Sequence, residues 1–226
     1  MAAMNTPAAM DQSVYKQPLD FIDIYHRNIF GGTESRSGNG STLVQTAVIR
    51  DEIPLLFKKL NIKSVLDAPC GDFNWMKEVM KQFPNIQYTG LDIVPDLIET
   101  NTKSHASDTV NFRVGSIITD DLPRADIIIC RDCLVHMPVD HALKAVERFR
   151  KSGAKYLLCT TFTGRDKNYE EFIRGLWRAL NMEKQPFDLG PASNLINENC
   201  TEAGDFLADK CLGLWDLQKT AGEIGM

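Results

Sequence analysis

The chain has 226 residues, 43% hydrophobic and 24% charged, with 15 Gly and 10 Pro. This composition fits one sizeable globular domain and excludes a disordered or collagen-like chain. Its 25 basic and 30 acidic side chains give a net charge of −5 and a sequence pI near 5.4, so there is no general attraction to phosphate backbones or anionic lipid, and nucleic acid is not an expected partner. The longest apolar run, Ile53 to Phe57, is far short of the roughly 18 residues of a membrane-spanning helix, and no span is expected. Six cysteines lie scattered along the chain, which points to reduced thiols and a cytoplasmic setting.

Met1 to Gln17 is small and polar, with neither a basic nor an apolar signal region; it reads as a disordered leader or cloning scar outside the fold. Phe21, Ile22, Ile24 and Tyr25 predict a short amphipathic helix. The stretch Gly31 to Ser41 (GGTESRSGNGS) then breaks regular structure with four glycines in eleven residues. Apolar spacing from Leu43 to Leu60 predicts one helix, capped by Ser41 or Thr42 and kinked at Pro54.

Short apolar runs next alternate with helical patterns, the signature of βα units on a parallel sheet. Strands are expected at Ser64–Ala68, Gln87–Asp92, Val110–Val114, Asp126–Cys130 and Tyr156–Thr160. Helices are expected at Phe73–Gln82, Pro95–Thr102, Val139–Ser152 and Asn168–Ala179. Ser193–Asn197 and Cys211–Leu217 read as two late strands, an antiparallel pair at the sheet edge. Right-handed crossovers place the C-terminal ends of the parallel strands on one rim.

Chemistry concentrates on that rim. In SVLDAPCGDFNWM (Ser64 to Met76) a strand ends in Asp67, turns through Pro69, Cys70 and Gly71, and enters a helix. A strand, tight turn and helix in this order bring backbone N–H groups close to a nucleotide-like ligand, although a plain turn with a cap at Asp72 reads equally well. Twenty-five residues on, the second strand ends in Asp92, where a carboxylate can accept both hydroxyls of a ribose.

These segments resemble class I S-adenosylmethionine-dependent methyltransferases, whose first motif is D/E-x-G-x-G-x-G. Asp67, Gly71 and Asp92 match; Pro69 and Phe73 stand where the first and third glycines would be. The run Phe21 to Ser41, DAPCGDFNWM, LDIVPDLI, CRDCLVHMP, INENCTE and DKCLGLWDL are similar, more closely, to a bacterial and large-virus methyltransferase group found near or fused to glycosyltransferases. The resemblance implies a Rossmann-like α/β sandwich whose seven-stranded sheet is mostly parallel, with an antiparallel edge strand. The domain would span 18–226, with helices and a cofactor-covering loop over 18–60 and the Rossmann-like core over 61–226.

By the same resemblance, S-adenosylmethionine, with S-adenosylhomocysteine as product, would lie against Arg36, Ser37, Gly38 and Ser41 of the loop. Asp67, Ala68, Pro69, Cys70 and Gly71 of the first turn would line it, as would Asp92, Ile93, Ser116, Ile117 and Arg131. Methyl transfer to an alcohol requires an aligned acceptor and removal of its proton. Asp132 is the first choice as base or orienting group and His136 its partner or replacement. Cys130-x-x-Cys133 has no second ligand pair, so zinc is not expected, and a divalent cation is not indicated.

His26, His105 and His141 read as incidental. Glu198, Glu202, Asp205 and Asp209 read as an acidic rim or a solvated loop, Trp75 and Trp215 as core, and Trp177 as core or a sugar-stacking face. The expected reaction is O-methylation of a sugar hydroxyl on a glycan or oligosaccharide, with a glycosyltransferase nearby or fused. Competing readings are a small-molecule or quinone-type O-methyltransferase and a non-catalytic S-adenosylmethionine-binding module. A dinucleotide oxidoreductase is disfavoured by the absence of G-x-G-x-x-G.

Overall fold

The computed structural model describes residues 20–170 and 177–219. The expected leader lies outside them, as does the middle of the expected helix Asn168–Ala179.

Asp20 caps the first helix, α1 (Phe21–Arg27), its carboxylate accepting the N–H groups of Ile22 and Asp23. The second, α2 (Ala47–Leu60), starts four residues later than its apolar spacing predicts. Thr42 caps a separate turn instead: its Oγ1 accepts the Gln45 N–H at 3.3 Å and its carbonyl accepts the Thr46 N–H at 3.0 Å. Pro54 lies inside α2 among its buried residues.

The core alternates as expected: β1 (Ser64–Asp67), α3 (Met76–Met80), β2 (Gln87–Asp92), α4 (Pro95–His105), β3 (Val110–Val114), β4 (Ile127–Cys130), α5 (Val139–Lys151) and β5 (Tyr156–Phe162). Then β6 (Asn194–Asn197) and β7 (Lys210–Asp216) complete a seven-stranded sheet in the order β3-β2-β1-β4-β5-β7-β6. Strands β1 to β5 pair in parallel, while β7 runs antiparallel to both β5 and β6. The late antiparallel pair therefore forms that edge, with the reversed strand one position in. Helix α3 starts three residues later than expected, after Phe73 takes a left-handed φ of 59°, which no α-helix accommodates, and it stops at Met80, two residues short of Gln82. Asn168–Glu170 and Trp177–Ala179, the described ends of the expected fourth helix, are not helical. The Asn168 amide instead donates to the carbonyls of Asn181 and Gln185, each at 2.9 Å.

Side chains alternate between two cores across the central strands. Leu66, Ile128 and Leu157 face Ala142, Val146 and Phe149 of α5. Val65, Ile127, Ile129 and Leu158 face Ile53 and Phe57 of α2 and Met76 and Val79 of α3. With both faces covered, access is left at the strand ends, and Asp67, Asp92, Val114 and Cys130 bring four parallel strands to the same rim.

Candidate active site

A cavity of about 1440 Å³, its open mouth included, lies on this rim between α1, the loop 31–41 and the ends of β1 to β4. Asp67 and Asp92 line it from adjacent strands, and both are buried. Burial pushes the Asp67 carboxyl up to about 7; a 2.7 Å hydrogen bond from the Tyr88 hydroxyl opposes that and the Asp92 charge adds to it. Asp92 is also raised by burial, while its two oxygens accept the backbone N–H groups of Gly71 and Val94, each at 3.1 Å. Those two bonds aim the carboxylate and leave each oxygen a lone pair for a ligand hydroxyl.

The departures from the glycine motif have local explanations. Phe73 adopts the left-handed turn that glycine would take, and its ring turns away into Tyr88 and Phe112, with centroids 4.9 and 5.1 Å away. Gly71, with φ of 53°, resists substitution on two counts: the backbone is left-handed, and a Cβ there would sit 2.2 Å from Ser37 Oγ, which would have to move.

The glycine-rich loop is fastened down over this turn. Asp72 accepts the Arg36 N–H at 2.7 Å and the Ser35 hydroxyl at 3.0 Å, and its own N–H donates to Ser37 Oγ at 3.2 Å. Glu34 accepts the Leu43 N–H and the Asn74 amide at 2.7 and 2.8 Å. Arg36 lies over the Tyr25 ring, 5.3 Å from its centroid, and lines the cavity with Ser37 and Ser41. The loop is therefore a braced wall with exposed tips, where the glycine content by itself predicts a linker.

The far wall carries a buried charge cluster. Arg131 and Asp132 follow β4, Glu198 follows β6, and Lys210 opens β7. Arg131 Nη2 and Nε reach Glu198 Oε2 at 2.6 and 3.1 Å, and Lys210 Nζ reaches Asp132 Oδ2 at 2.5 Å. Arg131 Nη1 lies 3.3 Å from the same Asp132 oxygen, and its guanidinium lies 5.7 Å from the Trp75 ring centroid. Burial works against charge on Asp132, but Lys210 and Arg131 overcome it and hold the carboxyl down at about 2. Asp132 has a left-handed φ of 51°, and its N–H donates to Thr160 Oγ1 at 2.8 Å.

Arg36, Ser37, Ser41, Asp67, Pro69, Cys70, Gly71, Asp92, Ile93, Ser116, Ile117, Arg131, Asp132 and His136 all line the cavity. Ala68 and Gly38 do not. Ala68 is fully buried in the α5-side core, and Gly38 packs on Phe30, where a Cβ would meet Phe30 Cβ at 3.2 Å. Ser116 Oγ accepts the Ile118 and Thr119 N–H groups at 3.2 and 3.3 Å, capping its own turn. His136 packs against Phe30, with centroids 5.1 Å apart.

Several assignments change. His141, read as incidental, also lines the cavity, and Trp75, read as core, is both buried and a wall residue. Glu198 is a buried ion-pair partner, neither an acidic rim nor a solvated loop. Trp177 packs edge-on to Phe162 at 5.2 Å and is not a cavity residue. Lys210 escapes sequence reasoning altogether; a lysine at the head of an apolar strand is the signal that could have found it. Among the described residues the six cysteines are free and buried, and no group of three His, Cys, Asp or Glu side chains could hold a metal ion. No described helix is long and apolar enough to cross a membrane.

Residues 65–153, the segment that supplies β1 to β4 and the rim residues from Asp67 to His141, match the model of a family described as a methyltransferase domain. The fold as a whole is a Rossmann-like α/β sandwich with a seven-stranded mixed sheet, and solved methyltransferases share it. Human N-acetylserotonin methyltransferase, solved in complex with SAM, superposes with a TM-score of 0.60 at 14% identity, over 87% of this chain and 58% of that one. TnmH gives 0.63 at 15% identity, over 92% and 63%. The methyltransferase domain of bacterial CtHen1-CN gives 0.57 at 14% identity, over 77% of this chain and 100% of that one. This chain spans about three fifths of the length of the first two. No curated protein matches the sequence.

Proposed function

We propose that the protein is an S-adenosylmethionine-dependent O-methyltransferase acting on a sugar hydroxyl. The observation that carries the reading is the pair of buried carboxylates at adjacent strand ends, Asp67 and Asp92, facing one cavity beneath the braced loop. The methyltransferase match over 65–153 supports it, and a structure of the same fold was solved with SAM.

The donor set fits the cofactor. Asp92 offers two aligned acceptors to a ribose diol. Asp67, uncomfortable as an unpaired buried anion, suits a ligand ammonium. Arg36, at the exposed loop, suits a ligand carboxylate. When bound, the cofactor supplies an electrophilic methyl group on a sulfonium. The chain's own task is to hold the acceptor oxygen in line and remove its proton. Asp132 is a poor proton acceptor with two cations on its carboxylate. His136, one short turn further on, is the base assigned here, with Asp132 orienting it or the acceptor. Phe30 supplies an aromatic wall beside His136, and Phe21 and Tyr25 line the same cavity; aromatic faces of this kind suit a sugar face. The sugar assignment rests otherwise on the likeness of the Phe21–Ser41 run to the glycosyltransferase-associated group.

Labelled methyl transfer to rhamnose-, fucose- and xylose-bearing oligosaccharides is the direct test. Transfer to one of them is expected; transfer only to phenolic or quinol acceptors would overturn the sugar assignment. His136→Ala should lower turnover by roughly 10²-fold or more with S-adenosylhomocysteine affinity unchanged. If Asp132→Asn abolishes turnover while His136→Ala spares it, the two roles are reversed.

A further inference from the structure

The motifs INENCTE and DKCLGLWDL contribute Glu198 and Lys210, which the reading above leaves without a task. Neither lines the cavity, yet both are almost wholly buried, with side chains 1% and 4% exposed. Burying four charges is costly unless each is matched. Here two cations meet two anions drawn from β4, β6 and β7, and Glu198 N–H donates to the Lys210 carbonyl at 3.1 Å, joining the two edge strands where the charges enter. Arg131 bridges onward to the glycine loop, its Nη2 donating to the Gly40 carbonyl at 2.9 Å. Asp132 is the most exposed of the four, with 24% of its side chain accessible, and it alone of the two anions faces the cavity. Its left-handed backbone is a costly conformation for a non-glycine residue, kept only where the surroundings over-determine it.

We propose that Lys210 and Glu198 are positioning residues: Lys210 holds the Asp132 carboxylate charged and in one orientation toward the acceptor, and Glu198 holds Arg131 and Lys210 in place to do so. The inference rests on the methyltransferase reading. The groups facing Asp132 are Arg131, Lys210, His136, Glu198, Cys200 and Glu202. The last approaches through Gly40, where a Cβ would lie 2.8 Å from Glu202 Oε2 and 3.6 Å from Asp132 Oδ2. Lys210 is the closest cation, and its removal leaves one guanidinium shared between two carboxylates.

The test uses the full chain labelled with ¹³C at aspartate carboxyls, the Asp132 signal being the one lost in Asp132→Asn. In the wild-type protein and in Lys210→Arg this signal should show no titration above about pH 4, whereas in Lys210→Met its midpoint should rise into that range. Should Lys210→Met fail to fold, Lys210→Gln, which keeps a hydrogen-bond donor for Asp132 but no charge, carries the same readout. With an accepted acceptor, Lys210→Met should lower kcat by roughly 10-fold or more and steepen the acid limb of the pH–rate profile, while Lys210→Arg restores both. S-adenosylhomocysteine affinity should stay within about two-fold in all of them. An Asp132 signal insensitive to Lys210→Met, or a kcat unchanged by it, overturns the proposal. Absence of S-adenosylhomocysteine binding by the wild-type protein would instead overturn the methyltransferase reading, and the carboxyl titration would still decide whether Lys210 governs Asp132.

Discussion

Asp67 and Asp132 follow neighbouring strands of one sheet and line one cavity, yet their environments push them in opposite directions. Asp67, at the end of β1, is buried with a neutral tyrosine and a second carboxylate, and its carboxyl rises to about 7. Asp132, just past β4, is buried with Lys210 and Arg131 and falls to about 2. Burial penalises both charges; the partners brought from elsewhere in the chain decide the outcome. The β1–β2 side thus presents two buried carboxylates that no cationic side chain among the described residues pairs within ion-pair distance. On the β4 side the anion is already matched, and what remains is orientation.

The largest effect should come from breaking the paired side. Arg131→Met leaves Glu198 and Asp132 to share Lys210 and should cost about 3–5 kcal/mol, since removing one partner strands a buried charge; urea unfolding measures it. On the unpaired side the sign reverses. Folded Asp67 keeps a proton that the unfolded chain, at its ordinary value of 3.8, releases. Its contribution is therefore full below about pH 4 and lost as pH rises through 7. Asp67→Asn still offers Tyr88 an acceptor, so its stability relative to the wild-type protein should grow between those limits, by on the order of 4 kcal/mol. A flat difference across that range would show that Asp67 is ionised throughout. Asp132 has the opposite linkage, its stabilisation present above 3.8 and lost as pH falls through about 2.

The β1–β2 side is sharpened by Asp92→Ala, which should weaken S-adenosylhomocysteine by about 1.5–3 kcal/mol in calorimetry, the worth of hydrogen bonds to a charged group. The smallest effect concerns the loop. Asp72→Ala removes the acceptor of the Arg36 N–H and should speed amide exchange there by about 5- to 10-fold, for a bond of roughly 1 kcal/mol. If Arg36 already exchanges as fast as a free amide, the loop is a lid and not a wall.

The two sides also differ in how far they could be foreseen. Asp67, Gly71 and Asp92 lie within 26 residues in a strand-turn-helix-strand pattern, so the amino-acid sequence by itself determined the parallel sheet, its rim and the placing of two carboxylates at adjacent strand ends, because local periodicity and turn chemistry specify them. It also determined that the late strands pair. The start of α2 and the length of α3 were not legible, since a side-chain cap at Thr42 and a left-handed Phe73 override spacing. The bracing of the loop, the pairing of Arg131 with Glu198 and the grip of Lys210 on Asp132 were decided by tertiary structure alone. Apart from the Glu34–Leu43 brace, those contacts join residues 35 to 91 positions apart; no local period records such separations, and the protonation state of a buried carboxylate follows from whichever charges the fold carries to it.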